Sequence, residues 1–250
     1  MHPSGRSGPF WSSSGGLAAY RNILALVAAL TLLQGAMAAL AIVMSLKLLA
    51  SSVSAAGIGL VASAYSAGFL AGTLIAPLEI GRIGHIRAFI LLGGLCALVA
   101  LLLPLVGNVL PGWVLLLAVA GFGAAGMLTA GESWIANAAP PQKRGAILGF
   151  YHMVSKTGAM AAPFVVATSL NGLGAFMIVA ALFVAALLPV AATNRSQPDL
   201  IAAKPFSPMR IVRLAPASAF AAFCAGAVNN SVAQLYPIFA ASISQDDGVG

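Results

Sequence analysis

Seven long apolar runs, separated by short polar connections, dominate this chain. They cover approximately residues 22–46, 56–78, 88–105, 113–137, 145–169, 175–192 and 215–243. Each run comes near the roughly 20 residues that a membrane-spanning helix needs. The uncharged stretch 88–131 is too long for one helix, and we expect its break at 106–112, where Gly, Asn and Pro cluster. The pattern predicts an all-α, polytopic membrane protein.

The composition agrees with a membrane protein. Hydrophobic residues make up 60% of the chain and charged residues 7%, against about 25% charged residues in soluble domains. These values exclude a soluble enzyme and a disordered tail. The net charge of +7 does not indicate nucleic-acid binding, because the charges lie at the ends of apolar runs. We therefore expect the lipid bilayer as a partner and no nucleic acid.

The basic residues predict the orientation in the membrane. If the N-terminus is cytoplasmic, ten of the 12 Lys and Arg residues fall in the cytoplasmic segments, which are 1–21, 79–87, 138–145 and 194–214. By the positive-inside rule, this count places the N-terminus in the cytoplasm.

The order of helices and loops resembles the major facilitator superfamily, whose members join two six-helix bundles through a cytoplasmic loop. The stretch A-P-L-E-I-G-R-I-G-H-I-R at 76–87 is similar to that family's signature between its second and third helices, loosely G-x-L-a-D-R-x-G-R-R. With the later G-E-S-W and K-R-G-A-I-L-G-F-Y, it looks most like the YcaD-like branch. The resemblance covers about residues 20–245 and implies an MFS-type six-helix bundle plus a seventh transmembrane helix.

The resemblance also divides the chain. The expected parts are a flexible cytoplasmic tail, a six-helix N-terminal transmembrane bundle, a cytoplasmic linker loop and a truncated first helix of a C-terminal half, at 1–20, 21–193, 194–214 and 215–250. About five further helices of the same protein are implied as partners of this chain. A naturally short protein is the alternative to a truncated one.

The loop between the second and third helices is a predicted gating latch. Arg82, Gly84 and Arg87 match the signature's basic residues and glycine, and the aspartate position holds Gly81. In the family, this loop's arginine meets an acid at the cytoplasmic end of the fourth helix, and Glu132 stands where that acid would be. The resemblance implies a structural latch, with a substrate or proton role for Glu132 as the alternative; its members are Glu79, Arg82, Gly84, Arg87 and Glu132.

The fifth helix contains a second similar segment. G-A-M-A-A-P, from Gly158 to Pro163, resembles the G-x-x-x-G-P segment of the family's antiporters. Small residues permit close helix approach and proline bends a helix, so we expect Gly158 and Pro163 to serve helix packing. Leu117 occupies the region where proton antiporters often have an arginine, and antiport is therefore not inferred.

Lys156 is the sharpest candidate for a binding residue. It lies about 12 residues from either end of the fifth helix, roughly 18 Å from each interface. A charge at the bilayer centre costs at least about 2.5–3.5 kcal/mol, so this lysine must face a wet cavity, meet a partner or be neutral. We expect it to contact an anionic or carbonyl-bearing substrate. The alternative is a packed lysine bonded to backbone carbonyls and polar side chains.

Other mid-helix polar residues are weaker candidates. His152 lies one turn before Lys156 on the same face, which suits either a proton relay or simple packing. Amides in the first and seventh helices would suit a polar ligand, because these helices line the cavity in the family; they are Gln34, Asn229, Asn230 and Gln234. Hydrogen bonding between helices is the alternative for them.

These features predict a secondary active transporter of a small solute, alternating access between two helix bundles, in the bacterial inner membrane. A coupling proton or ion is a further candidate partner. No cofactor, metal or Walker A loop is expected. An enzyme is not expected, because H-E-x-x-H is missing and adjacent Ser155 and Lys156 diverge by about 100° on a helix. A non-transporting assembly partner or an inactive fragment of such a transporter is the alternative.

Overall fold

Six long helices form the part of the chain that the structure describes. The computed structural model describes residues 13–168, 172–192, 212–221, 224–226, 228 and 232. Regular structure within these residues is helical: α1 Ser13–Ala50, α2 Ala55–Ile83, α3 His85–Leu102, α4 Leu110–Ala138, α5 Arg144–Ala167 and α6 Gly172–Ala191, with a 3₁₀ turn at Leu103–Val106 after α3. The all-α membrane fold predicted from the apolar runs is confirmed.

Five of these helices are long and apolar enough to cross a membrane, namely α1 from Asn22, α2, α3 with its 3₁₀ turn, α4, and α6 from Leu173. Helix α5 has a sufficient length of 24 residues, but polar side chains occupy its middle, among them His152, Ser155, Lys156 and Thr157. Of the six helices, α5 is therefore the one whose side chains are least compatible with a lipid surrounding.

The turn between α2 and α3 is shorter than expected. The charged stretch 79–87 was predicted as a loop, yet it is helical on both sides of Gly84. Gly84 has φ of 87°, and its N–H donates to the Ile80 carbonyl oxygen at 2.9 Å. Glycine adopts this left-handed backbone without a Cβ clash, so one residue suffices to reverse the chain. At the N-terminus, α1 begins at Ser13, so the last residues of the predicted tail are helical.

The break between α3 and α4 lies where Gly, Asn and Pro cluster, as predicted. Gly107 has φ of 62°, and Pro111 occupies the first turn of α4, where no backbone donor is needed. The Trp113 Nε1–H donates to the Gly107 carbonyl oxygen at 2.9 Å. This bond ties the turn to the first buried ring of α4.

Helices α1 and α4 are the central helices of the bundle. In each, 56% of the most apolar segment is buried, against 17% in α2. Helix α2 packs on α4 as α5 packs on α1, and α3 packs on α4 as α6 packs on α1. Exchanging α1–α3 with α4–α6 preserves this packing pattern, which is the signature of an internal repeat such as transporter folds contain.

Large apolar side chains fill the space between the helices. Phe89, Trp113, Phe176 and Phe183 are almost fully buried, and the Trp113 and Phe176 rings meet edge to face with centroids 6.0 Å apart. Buried rings of this size hold α3, α4 and α6 together. The more peripheral α2 and α5 are left to approach α4 and α1 through small residues.

Little of the predicted seventh helix falls among the described residues. Helical backbone is described at 212–214, 216–221, 224–226, 228 and 232. Residues 1–12, most of the predicted linker 194–214, and the predicted ligands Asn229, Asn230 and Gln234 lie outside the described residues.

Candidate functional site

Helix α5 approaches α1 closely because two glycines meet at their crossing. A Cβ added at Gly158 would run into the carbonyl oxygen of Thr31, and one added at Gly35 would lie 3.1 Å from the Gly158 carbonyl oxygen. Ala162, one turn further, is buried. The exposed Pro163 follows inside the helix. The small residues let the two backbones touch, which brings the polar side chains of α5 next to α1 and α4.

Polar side chains from three helices meet beside this crossing. The Tyr151 hydroxyl of α5 donates to Glu132 Oε1 of α4 at 3.0 Å. The side chains of Gln34 of α1 and Ser155 of α5 are further polar neighbours of the same hydroxyl group, and Ser155 Oγ donates to the His152 carbonyl oxygen at 3.1 Å. Tyr151 and Ser155 are fully buried, whereas Gln34 and Glu132 are partly buried. We call these four residues the polar junction.

The polar junction engages the one acid of α4. A hydrogen bond to a charged acceptor contributes about 1.5–3 kcal/mol, and a carboxylate without a donor in an apolar surrounding is costly. The Tyr151 hydroxyl supplies that donor within the bundle. Glu132 is therefore bound to a neutral partner rather than neutralised by a cation.

Lys156 lies on the opposite, exposed side of α5, about 18 Å along the axis from Arg144, the first residue of the helix. Tyr151 and Ser155 point toward the bundle, while Lys156 and His152 do not. Among the residues that the structure describes, no carboxylate lies within ion-pair distance of Lys156. The lysine therefore lies on the outer surface of this bundle, near the middle of α5.

His152 is exposed and lies one turn before Lys156. Its ring centroid is 4.5 Å from that of Tyr151, with an interplanar angle of 38°. The contact joins the exposed flank of α5 to the polar junction. Both earlier interpretations of His152, a proton relay and simple packing, stay predictions, since a ring contact suits either.

The residues of the predicted latch are only partly brought together. Glu79 and Arg82 form an ion pair of 3.5 Å at the end of α2, with both side chains well exposed. Gly84 forms the turn, and Arg87 is exposed one turn into α3. Glu132 does not lie within ion-pair distance of either arginine, because its carboxylate is engaged with Tyr151. Within the described residues, the conformation thus contains the Glu79–Arg82 pair but no ion pair between Glu132 and the arginines of the α2–α3 turn.

A buried histidine lies directly after that turn. His85 is 5% exposed, and its ring centroid is 6.4 Å from that of Trp134. Its Nδ1 atom has no hydrogen-bond partner among the residues that the structure describes. An unpaired polar atom at a buried position weakens the packing of a protein. The ring contact with Trp134 nevertheless packs the start of α3 against α4.

The sequence analysis did not predict the roles of Tyr151 and Ser155 in the polar junction. Both lie on the buried stripe of α5, which continues to Ala162 and Val166. Spacings of four, seven and four residues are those of one helix face, so this periodicity is the signal that could have identified their side of α5. The periodicity of α5 could not predict that Tyr151 bonds to Glu132 of α4. Within the described residues, no three His, Cys, Asp or Glu side chains are grouped so that they could hold a metal ion.

The family is established by comparison with known proteins. The model of the Major Facilitator Superfamily matches residues 24–248. Because the match spans nearly the whole chain, the protein belongs to the Major Facilitator Superfamily. It is an integral membrane protein of a transporter family, whose members are not enzymes. A search of the curated proteins finds no match. The YcaD-like branch stays a prediction.

Proposed function

We propose that this protein is a secondary active transporter of a small solute that carries an anionic or carbonyl group, and that Lys156 binds that group. One observation carries the proposal. A lysine lies exposed near the middle of α5 with no carboxylate in ion-pair distance among the described residues. Membership of a transporter family supplies the class of activity.

The cost of burying a charge argues against a lipid surrounding for Lys156. A lysine facing hydrocarbon near the bilayer centre costs at least about 2.5–3.5 kcal/mol, and its side chain is too short to reach either interface from about 18 Å. The exposed flank of α5 around Lys156 must therefore adjoin water, further protein or a ligand. A water-filled path between two helix bundles meets that requirement.

The polar junction explains why the charge of Lys156 remains available. Glu132 is the one acid of α4, and its carboxylate accepts from Tyr151. Gln34, partly buried beside Tyr151, adds an amide that can bind a polar part of the solute. With the Glu132 carboxylate bonded to Tyr151, the ammonium of Lys156 is the charge left to the solute, which favours an anionic solute over a cationic one.

In the proposed cycle, the described bundle and a second bundle rock about a central site, which opens alternately to either side. The exposed pair Glu79–Arg82, together with Gly84 and Arg87, would act at the inner gate, and Glu132 would reach this loop in another state of the cycle. His152 is the candidate for proton coupling. The amides Asn229, Asn230 and Gln234 would supply the facing wall.

The orientation is proposed from the charge distribution. Arg82, Arg87, Lys143 and Arg144 are exposed at the turns that join α2 to α3 and α4 to α5. These turns lie at the same end of the bundle, because an even number of spans separates them. The positive-inside rule makes that end cytoplasmic, and we propose a bacterial inner membrane with the N-terminus inside.

The first test asks whether water reaches Lys156. In a background with Cys96 and Cys224 replaced by alanine, Lys156→Cys should react with a membrane-impermeant thiol reagent. Leu98→Cys, at an exposed apolar position near the middle of α3, is the matched control and should stay unreactive. If both cysteines are equally protected from the reagent, water does not reach the exposed side of α5 around Lys156, and the proposal is contradicted.

The second test asks whether the charge is needed for transport. In cells that produce the full-length protein, Lys156→Met should abolish uptake of organic anions while membrane insertion is retained. Lys47→Met removes a lysine from the last turn of α1 and should leave uptake unchanged. Undiminished uptake by Lys156→Met would refute the proposal. If the wild type transports none of these anions, the alternative of a non-transporting assembly partner is favoured.

A further inference from the structure

Two donor side chains stand on the exposed flank of α5. Lys156 and His152 are both exposed, and a spacing of four residues places them on one helix face, about 6 Å apart along the axis. Helical side chains tilt toward the N-terminus, so the long Lys156 chain leans toward the His152 ring. The pair offers an ammonium group and an imidazole N–H to a single solute.

The polar junction holds the His152 ring next to Lys156. The ring rests against that of Tyr151 at 4.5 Å between centroids, and Tyr151 is buried with its hydroxyl bonded to Glu132. Tyr151 is thus a positioning residue for the imidazole. In the described part of the chain, no carboxylate lies within ion-pair distance of either His152 or Lys156.

We infer that the transported solute is a short dicarboxylate, with one carboxylate bound by Lys156 and the other accepting a hydrogen bond from His152. The inference rests on the proposed function and adds a second contact to it. A second carboxylate gives each donor its own anionic group, whereas a solute with one carboxylate offers the two donors a single shared charge. Inorganic phosphate is the competing dianion, and its oxygens surround one atom, so it is included among the probes of the binding test.

The test compares probes that differ in one carboxylate. Equilibrium binding of succinate, butyrate and inorganic phosphate is measured on the full-length protein in nanodiscs. The wild type should bind succinate at least about 10-fold more tightly than butyrate, because a second charge-assisted hydrogen bond is formed. His152→Leu should bring the two affinities close together, chiefly by weakening the binding of succinate.

Two controls keep the result interpretable. Met153→Leu changes the exposed neighbour of His152 and should preserve the preference for succinate. The melting temperature of His152→Leu without ligand should equal that of the wild type, since the replaced side chain is exposed. The dicarboxylate is overturned by equal succinate and butyrate affinities in the wild type, by a preference that survives in His152→Leu, by tighter binding of phosphate, or by no binding of succinate.

Lys156→Met separates this inference from the proposed function. If succinate and butyrate both still bind to Lys156→Met as to the wild type, the proposed function fails. If Lys156→Met loses both ligands while His152→Leu keeps the preference for succinate, Lys156 remains the anion site and the second contact alone is refuted.

Discussion

Replacing Tyr151 by phenylalanine tests the polar junction directly, because it removes one oxygen atom and little volume. The hydroxyl is fully buried and donates to Glu132 at 3.0 Å, a distance typical of a well-formed hydrogen bond. In Tyr151→Phe the carboxylate stays between the helices and loses its donor. We expect the bundle to become less stable.

The magnitude lies between two reference values. Hydrogen bonds between membrane helices average about 0.6 kcal/mol and reach about 1.7 kcal/mol, whereas bonds to charged groups contribute about 1.5–3 kcal/mol. For a partly buried carboxylate bound by a buried hydroxyl, we expect a coupling energy of about 1–2 kcal/mol between Tyr151 and Glu132.

A double-mutant cycle measures this coupling. The free energy of unfolding is determined in mixed micelles for the wild type, Tyr151→Phe, Glu132→Met and the double variant. Glu132→Met should cost less than Tyr151→Phe, because the hydroxyl retains Gln34 and Ser155 as partners. The double variant should lose less free energy of unfolding than the sum of the losses in the two single variants.

Tyr65→Phe provides the matched control. Tyr65 is partly buried in α2, and no hydrogen bond of its hydroxyl is recorded among the described residues, so its loss should change stability little. Effects of independent sites add within about 0.3–0.5 kcal/mol. A Tyr151–Glu132 coupling inside that margin would refute the assignment of the polar junction as a connected unit.

Three further predictions concern stability and use the same unfolding measurement. Gly158→Ala should destabilise the protein by about 1–3 kcal/mol, because its Cβ would meet the Thr31 carbonyl oxygen. Gly149→Ala is the control in the same helix; its Cβ would meet open space, so it should be neutral or stabilise by up to about 1 kcal/mol. Equal effects of the two substitutions would contradict a close crossing of α1 and α5. Gly84→Ala should cost about 1–2 kcal/mol because φ is 87°, and Gly81→Ala, with open space around its Cβ, should not. Glu79→Gln should change stability by less than about 1 kcal/mol, since an exposed ion pair contributes little; a larger loss would show that the pair has a stronger role.

Much of the fold was predictable because the bilayer imposes a simple rule. A span needs a long uncharged run, and such runs are visible in the sequence without knowledge of neighbours. The break at 106–112 was visible for the same reason, since Gly and Pro interrupt the run. The turn at Gly84 was harder, because its shortness depends on one backbone angle rather than on composition.

The candidate site was predictable only in part. A lysine in the middle of an apolar run is conspicuous in the sequence, because few forces offset its cost there. Tyr151 was not conspicuous, since a tyrosine in a membrane helix is commonly a packing residue. Its importance comes from Glu132, which lies 19 positions earlier along the chain, and no periodicity links residues on two different helices.

The sequence by itself determined the class of fold, the approximate helices and the anomalous charge of Lys156, because hydrophobicity and helix length are local properties. The tertiary structure alone decided which helices cross, and hence that Glu132 is bonded to Tyr151 and does not meet the arginines of the α2–α3 turn. That choice depends on glycines at the crossings, such as Gly35 and Gly158, where two backbones must fit against each other at the same depth. Such a fit is a property of pairs of helices in space, and a pattern along one chain does not contain it.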